Sequence, residues 1–352
     1  MSALFESGMF VGTVPWHNMG NIVPETTRYD VPQGIIASGM NWDVYTRQCG
    51  YMTAGQFVVP MEPLFDKEGE IIGEYPRNVY TCRRMLVDGK EQEQELGIVG
   101  GQYQVVQNAD MFKWFQPYLD KGEAYLHTAG SLNGGKWVWV LAKLNRDPVE
   151  IAAGDCVEKF LLLSSSHDGS LSVRVGFTPI RVVCANTLAA AHNDSQSKLL
   201  KLRHTKMVHA GLDAVHDIIN TVNADFEATA EQFKMLARKG VNQKDLVKFV
   251  LRTMTNDKPL QDGEDMSTKM KNIVQSICER IDSKANSLPS IRGTYWAAYN
   301  AMTEYLSHSA GGEGGKIITP EQKANNRIAS LWFGPNAARN TLALKIALEM
   351  AA

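Results

Sequence analysis

The spacing of apolar and polar positions changes partway along the chain, near residue 199. Ahead of that point alternation with a period of two prevails, which suits strands that turn one face inward. Beyond it apolar residues return every three to four positions, the spacing of a buried helical face. The fold class this predicts is α+β: a β-rich half with a central hairpin, strand and helix unit, then a mainly helical half. The expected division is a β-rich α+β domain with an N-terminal arm over 1–197 and a helical domain over 198–352.

The central unit spans 159–192. Residues 159–166 and 170–177 are rich in strand formers, and His167, Asp168, Gly169 and Ser170 between them signal a hairpin turn. Thr178 and Pro179 are expected to break the ladder, 180–184 to form another short strand, and Asn186 or Thr187 to cap a helix over 188–191. Upstream, 31–47 predicts a short helix and then a strand from Trp42. Strands are also expected at 51–60 and 77–86, with turns at 66–69 and 88–89, while Glu91, Glu93 and Glu95 suggest a solvated edge or loop. Alternation through 97–108 predicts a strand up to Asn108, with Asp110 capping a helix over 111–119. In 136–144, Trp137, Trp139 and Leu141 share one face and Val138, Val140 and Ala142 the other. Both faces are apolar, so this strand is expected in the middle of a sheet covered on both sides. The alternative is that its two tryptophans stack bases. Trp16 and His17 belong to an extended arm that packs on the body or on a neighbouring subunit.

In the second half, 199–239 reads as one long helix or two with a bend. Asn242 introduces a helix over 243–254, and further helices are expected at 268–284, at 295–308 and at the C-terminus, with a Gly-rich loop at 309–316.

A chain of 352 residues that is 44% hydrophobic can bury about two cores. No apolar run approaches the ~20 residues that span a bilayer, and the first residues lack a leader pattern. The expectation is therefore a cytoplasmic protein with no membrane partner. The five cysteines, Cys49, Cys82, Cys156, Cys184 and Cys278, are scattered and support neither a disulfide framework nor a zinc site. Net charge is −2, with 16 basic against 22 acidic residues over 1–200 and 20 against 16 afterwards. A near-neutral total still allows a local basic groove.

Catalytic signatures are missing: there is no phosphate loop, no dinucleotide fingerprint, no HExxH and no nucleophile elbow. Ser166, His167 and Asp168 are consecutive and point in alternate directions, which a relay cannot use. No enzyme, cofactor or metal is expected. Arg174 and Arg181 are the only cations between Lys159 and Lys198. Lying within strands, they either pair with carboxylates at sheet edges or hold phosphate. Lys198, Lys201, Arg203 and Lys206, with His204 and His209, form the densest cationic cluster, read as a solvated helix face or a phosphate contact. Lys136 opens the tryptophan strand. Gln107 and Asn108, at a strand-to-helix turn, can bond to backbone or to a ligand.

Several segments carry a resemblance: PWHNMG at 15–20, Gly100, Tyr103, Gln107 and Asn108 as GxxYxxxQN, FTPIRVVCANTL at 177–188, GTYWAAYNAMTEYLSH at 293–308 and NRIASLWFG at 326–334. With these the chain resembles the phage/plasmid-like family whose members carry domain of unknown function 932. That implies a role in mobile-element DNA metabolism or in dealing with a host. More distantly it is similar to phage single-strand annealing proteins of the Erf, RecT and Rad type. These have a β-rich core with hairpin and helix, assemble as rings or filaments, and hold the DNA backbone in a cationic groove; several have a Tyr followed by a Gln-Asn pair like Tyr103, Gln107 and Asn108. The modest net charge here departs from a strongly basic groove binder.

The expected function is a non-catalytic single-stranded DNA-binding protein that assists recombination or annealing for a phage or plasmid in the bacterial host cytoplasm. Arg174, Arg181, Lys136, Lys198, Lys201, Arg203, Lys206, Tyr103, Gln107 and Asn108 would contact nucleic acid. Partners would be single-stranded nucleic acid, further copies of the chain in a homo-oligomer, and host or phage recombination proteins. One alternative is a protein-interaction factor that counters host defence through Glu91, Glu93 and Glu95. The other is a metal-dependent nuclease.

Overall fold

The structure is a computed structural model that describes residues 5–12, 19–181, 199–258, 266–283, 286–308, 330 and 335–352, with the backbone alone for 87, 178–181 and 217–225. In chain order the strands and helices begin with β1 (Phe5–Val11), β2 (Asn21–Val23), α1 (Val31–Ala37), β3 (Val44–Gln48), β4 (Tyr51–Thr53), β5 (Gln56–Val58), β6 (Met61–Phe65), β7 (Ile71–Pro76), β8 (Asn78–Val87) and β9 (Lys90–Gly100). There follow α2 (Asn108–Lys113), α3 (Gln116–Asp120), β10 (Ala124–Leu132), β11 (Trp137–Leu144), β12 (Val149–Ala152), β13 (Asp155–Ser166), β14 (Val173–Arg181) and β15 (Leu200–Leu202). The helical half comprises α4 (Val208–Arg238), α5 (Gln243–Met254), α6 (Thr268–Ile281), α7 (Tyr295–His308) and α8 (Pro335–Ala351). The arrangement is α+β.

The large sheet runs β15-β14-β13-β11-β10-β1-β2, with β12 attached to β13. β11 is central, and its two apolar faces enter two different cores. Trp139 and Leu141 join the helical half, meeting Phe226, Phe233, Phe249, Trp296 and Leu344 in one cluster. Val138, Val140 and Ala142 face the other way, onto Val31, Met111, Phe112, Phe115 and Leu212. A strand covered on both sides needs this two-faced apolar pattern. Helix α4 serves both layers: Val208, Leu212 and Val215 pack on one face of the sheet and Phe226, Phe233 and Leu236 on the other. The cores therefore draw side chains from both sides of residue 198, and β15, just past it, pairs with β14.

Local signals account for several helix starts. Asp30 accepts from Gln33 N while Gln33 returns a bond to Asp30 N, a capping box at the start of α1. Asn242 caps α5 through Asp245 N at 2.9 Å.

Three expectations need correction. Pro179 does not break the ladder, because β14 continues to Arg181 with Pro179 opposite Lys159. β15 pairs only with 173–175, so past that point the outer side of β14 has no strand neighbour among the described residues, and a missing N–H is tolerated at such an edge. Residues 200–202 form strand β15 instead of leading α4, which starts at Val208. The 97–108 strand ends at Gly100, and the helix beyond it starts at Asn108 and divides into α2 and α3. Trp16, His17 and the helix expected at 188–191 lie outside the described residues.

Candidate nucleic-acid interface

A second sheet, β3-β8-β9, stands against the turn of the β13–β14 hairpin. Two contacts seat it there. Thr81 Oγ1 donates to His167 O at 2.6 Å, and Gly97 lies so close that a Cβ on it would come within 2.6 Å of the Cα and Cβ of Asp168. Between the sheet and the turn opens a cleft of about 420 Å³. Ile98, Val99 and Gly100 of β9 form one wall, the turn residues Asp168, Gly169, Leu171 and Ser172 another, and Arg203, His204 and Thr205 a third, with Tyr103 completing the lining.

Tyr103 is held from two sides. Its hydroxyl donates to Ser166 O at 2.6 Å and its ring stacks on His204 at 4.4 Å. Burial first, then the neighbouring Asp168 carboxylate, push the phenol well above its ordinary range, so it stays protonated. His204 donates from Nδ1 to Gln104 O at 2.9 Å, and Gln104 N donates back to His204 O at 3.0 Å. Burial lowers the pKa of His204, leaving it neutral with Nε2 accepting from Ser165 Oγ at 3.3 Å. Ser165 is 1% exposed, so this Ser-His contact cannot reach a substrate. Asp168 Oδ1 is occupied by the N–H and hydroxyl of Ser170, at 3.0 and 2.5 Å.

Around this cleft the structure gathers part of the expected set. Arg174 is half-buried on β14, in register with Lys201 on the edge strand β15. Lys201, Arg203 and Lys206 are exposed along one short stretch beside the cleft. Lys136 is half-buried in the β10–β11 turn, its carbonyl accepting from His167 N at 2.7 Å, which puts it at the same end of the sheet.

The remaining expected residues lie elsewhere or outside the described part of the chain. Arg174 and Arg181, both expected to contact nucleic acid, sit near opposite ends of β14, seven residues or ~23 Å apart at the strand rise, so only Arg174 is beside the cleft. Lys198 lies outside the described residues. Gln107 and Asn108 belong to the scaffold. Gln107 grips the backbone of Val44, with its Nε2 donating to the carbonyl at 2.7 Å and its Oε1 accepting from the N–H at 2.9 Å. Asn108, 1% exposed, donates to the carbonyls of Met40 and Trp42 and accepts from His167 Nε2 at 3.0 Å. His167 is fully buried, and burial, with His204 and Arg83 nearby, drives its pKa down to about 3. In the sequence Ile98, Asp168 and Leu171 of the cleft carry no binding signal, and His204 stands out only as part of the cationic cluster. The Asp-Gly turn was legible, but its contact with residues 203–205 is long-range and leaves no local trace.

Among the described residues no three His, Cys, Asp or Glu side chains come together as a metal site, and no helix is long and apolar enough to cross a membrane. A family model described as Domain of unknown function (DUF932) matches residues 95–332. The chain belongs to the DUF932 family. The matched span covers every wall of the cleft and leaves out β1 through β8. No curated protein and no solved structure matches this DUF932 chain.

Proposed function

We propose that this DUF932 protein binds single-stranded nucleic acid without cleaving it, along the rim formed by Arg174, Lys201, Arg203 and Lys206, and so assists annealing or recombination of a phage or plasmid. The observation that supports this most is the exposed Arg203 at the mouth of a base-sized cleft, with Lys201 and Lys206 on the same exposed stretch. Phosphates would follow the cations, and an unstacked base would enter the cleft between Ile98 and the hairpin turn. Asp168 disfavours phosphate inside the cleft, but its carboxylate can accept from a base amino group.

Fluorescence anisotropy of a labelled oligonucleotide across a salt series tests this. Binding should weaken steeply with salt, and the Lys201→Ala, Arg203→Ala, Lys206→Ala triple variant should lower the log-log slope by roughly 2, at ~0.7 per phosphate. No binding at low salt, or an unchanged slope in the triple variant, would overturn the reading. The alternatives have weaker support. Glu93 and Glu95 of the acidic run are engaged by Arg47, and Glu93 also accepts from Tyr45 at 2.6 Å, which leaves less charge for a basic partner.

A further inference from the structure

Between β3 and β8 the chain leaves the small sheet as two hairpins, β4–β5 and β6–β7, each paired only within itself among the described residues. No residue from 49 to 78 is buried. Met52, Phe57, Met61, Phe65, Ile71 and Ile72 are 45% to 65% exposed, with Tyr51 beside them at 56%. The usual alternation is inverted in β6, where Met61, Pro63 and Phe65 are exposed while Glu62 and Leu64 are half-buried. Across the ladders Met52 stands opposite Phe57 and Phe65 opposite Ile71, so the apolar pairs share outward faces.

A lone two-stranded hairpin is marginal in water, and an outward apolar face of this extent marks an interface. At roughly 200 Å² for a whole large apolar residue, the exposed fractions amount to about 800 Å², what each partner contributes to a standard protein interface. Charge narrows the choice of occupant. Residues 51–76 carry Glu62, Asp66, Glu68, Glu70 and Glu74 against Lys67 alone. Three of these carboxylates are at the tip of the β6–β7 hairpin, while exposed Arg77 lies at its base, 3.3 Å from Glu62. An anionic lipid surface or a nucleic acid would be repelled by the tip. A second arm running the opposite way sets apolar face against apolar face and brings each acidic tip to the partner's Arg77, the one cation at a base that also holds Glu62 and Glu74.

We propose that residues 49–77 form a dimerisation arm that packs antiparallel on the same arm of a second copy of this chain. The contact is isologous, so it closes at two copies instead of growing into a filament.

Sedimentation of nuclease-treated full-length protein at micromolar concentration tests this. The expected particle has twice the mass of the 39.0 kDa chain. The Phe57→Asp, Phe65→Asp, Ile71→Asp triple variant should sediment as one chain with unchanged circular dichroism, since all three side chains are exposed. Arg77→Glu should weaken the dimer at least tenfold, and adding Glu68→Lys and Glu70→Lys should restore it. A wild-type protein of single-chain mass, an open series of masses, a triple variant that stays dimeric, or a charge exchange without recovery would each overturn the proposal. The charge variants keep the test intact should the triple variant misfold.

Discussion

Tyr103 lies almost flat on His204, with ring centroids 4.4 Å apart and planes 15° from parallel. The contact joins the segment after β9 to the turn between β15 and α4, and the paired backbones of Gln104 and His204 reinforce it. Tyr103 thus shapes the cleft and helps to hold it together, and these roles separate by substitution. Tyr103→Phe keeps the stack but strips Ser166 O of its donor, at a cost of about 1–2 kcal/mol in a urea melt with oligonucleotide affinity nearly unchanged. Tyr103→Ala removes the wall itself. It should cost about 3 kcal/mol and reduce affinity more than tenfold. Equal affinity losses in the two variants would assign the binding role to the hydroxyl.

Gly97 makes the docking of the two sheets testable without touching a cation. A methyl group there would meet backbone and Cβ of Asp168 at 2.6 Å, so the hairpin turn must move away from β9. Gly97→Ala should destabilise the fold by about 1–3 kcal/mol and weaken oligonucleotide binding. The control is Gly240→Ala, where a methyl group would meet its nearest neighbour, Gly293 O, at 3.8 Å and the melt should hardly change. Wild-type affinity in Gly97→Ala would show that the cleft does not depend on this contact.

Elements whose pattern fits one period over many residues were legible in the sequence. Helix α5 with its Asn242 cap and α7 fall where expected, and β11 is central because both of its faces are apolar. Short stretches were ambiguous. Leu200, Lys201 and Leu202 satisfy a strand as well as the first turn of a helix, and only the free edge of β14 decides between them. Tyr103, Val105 and Gln107 alternate like a strand, yet the Gln107 amide itself takes the place of a strand neighbour to Val44. The cleft depends on contacts between residues ~70 to ~100 positions apart in sequence, which no local pattern encodes.

Two buried histidines make the fold acid-sensitive. Burial, with Lys143 and Arg28 nearby, pushes His127 down to about 4, and His167 is pushed down to about 3. The unfolded chain takes up these protons near pH 6.5 while the folded one does not. The stability is therefore complete above pH 6.5 and is lost as the pH falls towards 4 and 3. At ~1.4 kcal/mol per pH unit His127 can account for roughly 3 kcal/mol and His167 for roughly 5 kcal/mol. Unfolding free energies at pH 7.5, 6 and 5 should fall progressively, and His127→Gln should flatten the decline. A flat wild-type profile over that range would contradict it.

Lys159 gives a profile of the same sign at the alkaline end. Its Nζ is buried with no hydrogen-bond partner among the described residues, 4.3 Å from the ring centroid of Phe177 and 4.5 Å from that of Phe226. Burial lowers its pKa to about 8, with Arg146 adding to the shift and Glu227 opposing it. The unfolded amine titrates near 10.5, so between pH 10.5 and 8 the unfolded chain gains a proton that the folded chain refuses. Stability should accordingly rise as pH climbs from 8 to 10.5 and stay at its lower plateau below 8. The two aromatic faces offset part of the cost of the buried cation, at ~1 kcal/mol each. A thioether of similar length fills the same space with no charge to desolvate. Lys159→Met is therefore expected to stabilise the protein by about 1–3 kcal/mol at pH 7 and to abolish the alkaline rise. A lower melting temperature for Lys159→Met at pH 7 would mean that the two rings stabilise the ammonium by more than its burial costs.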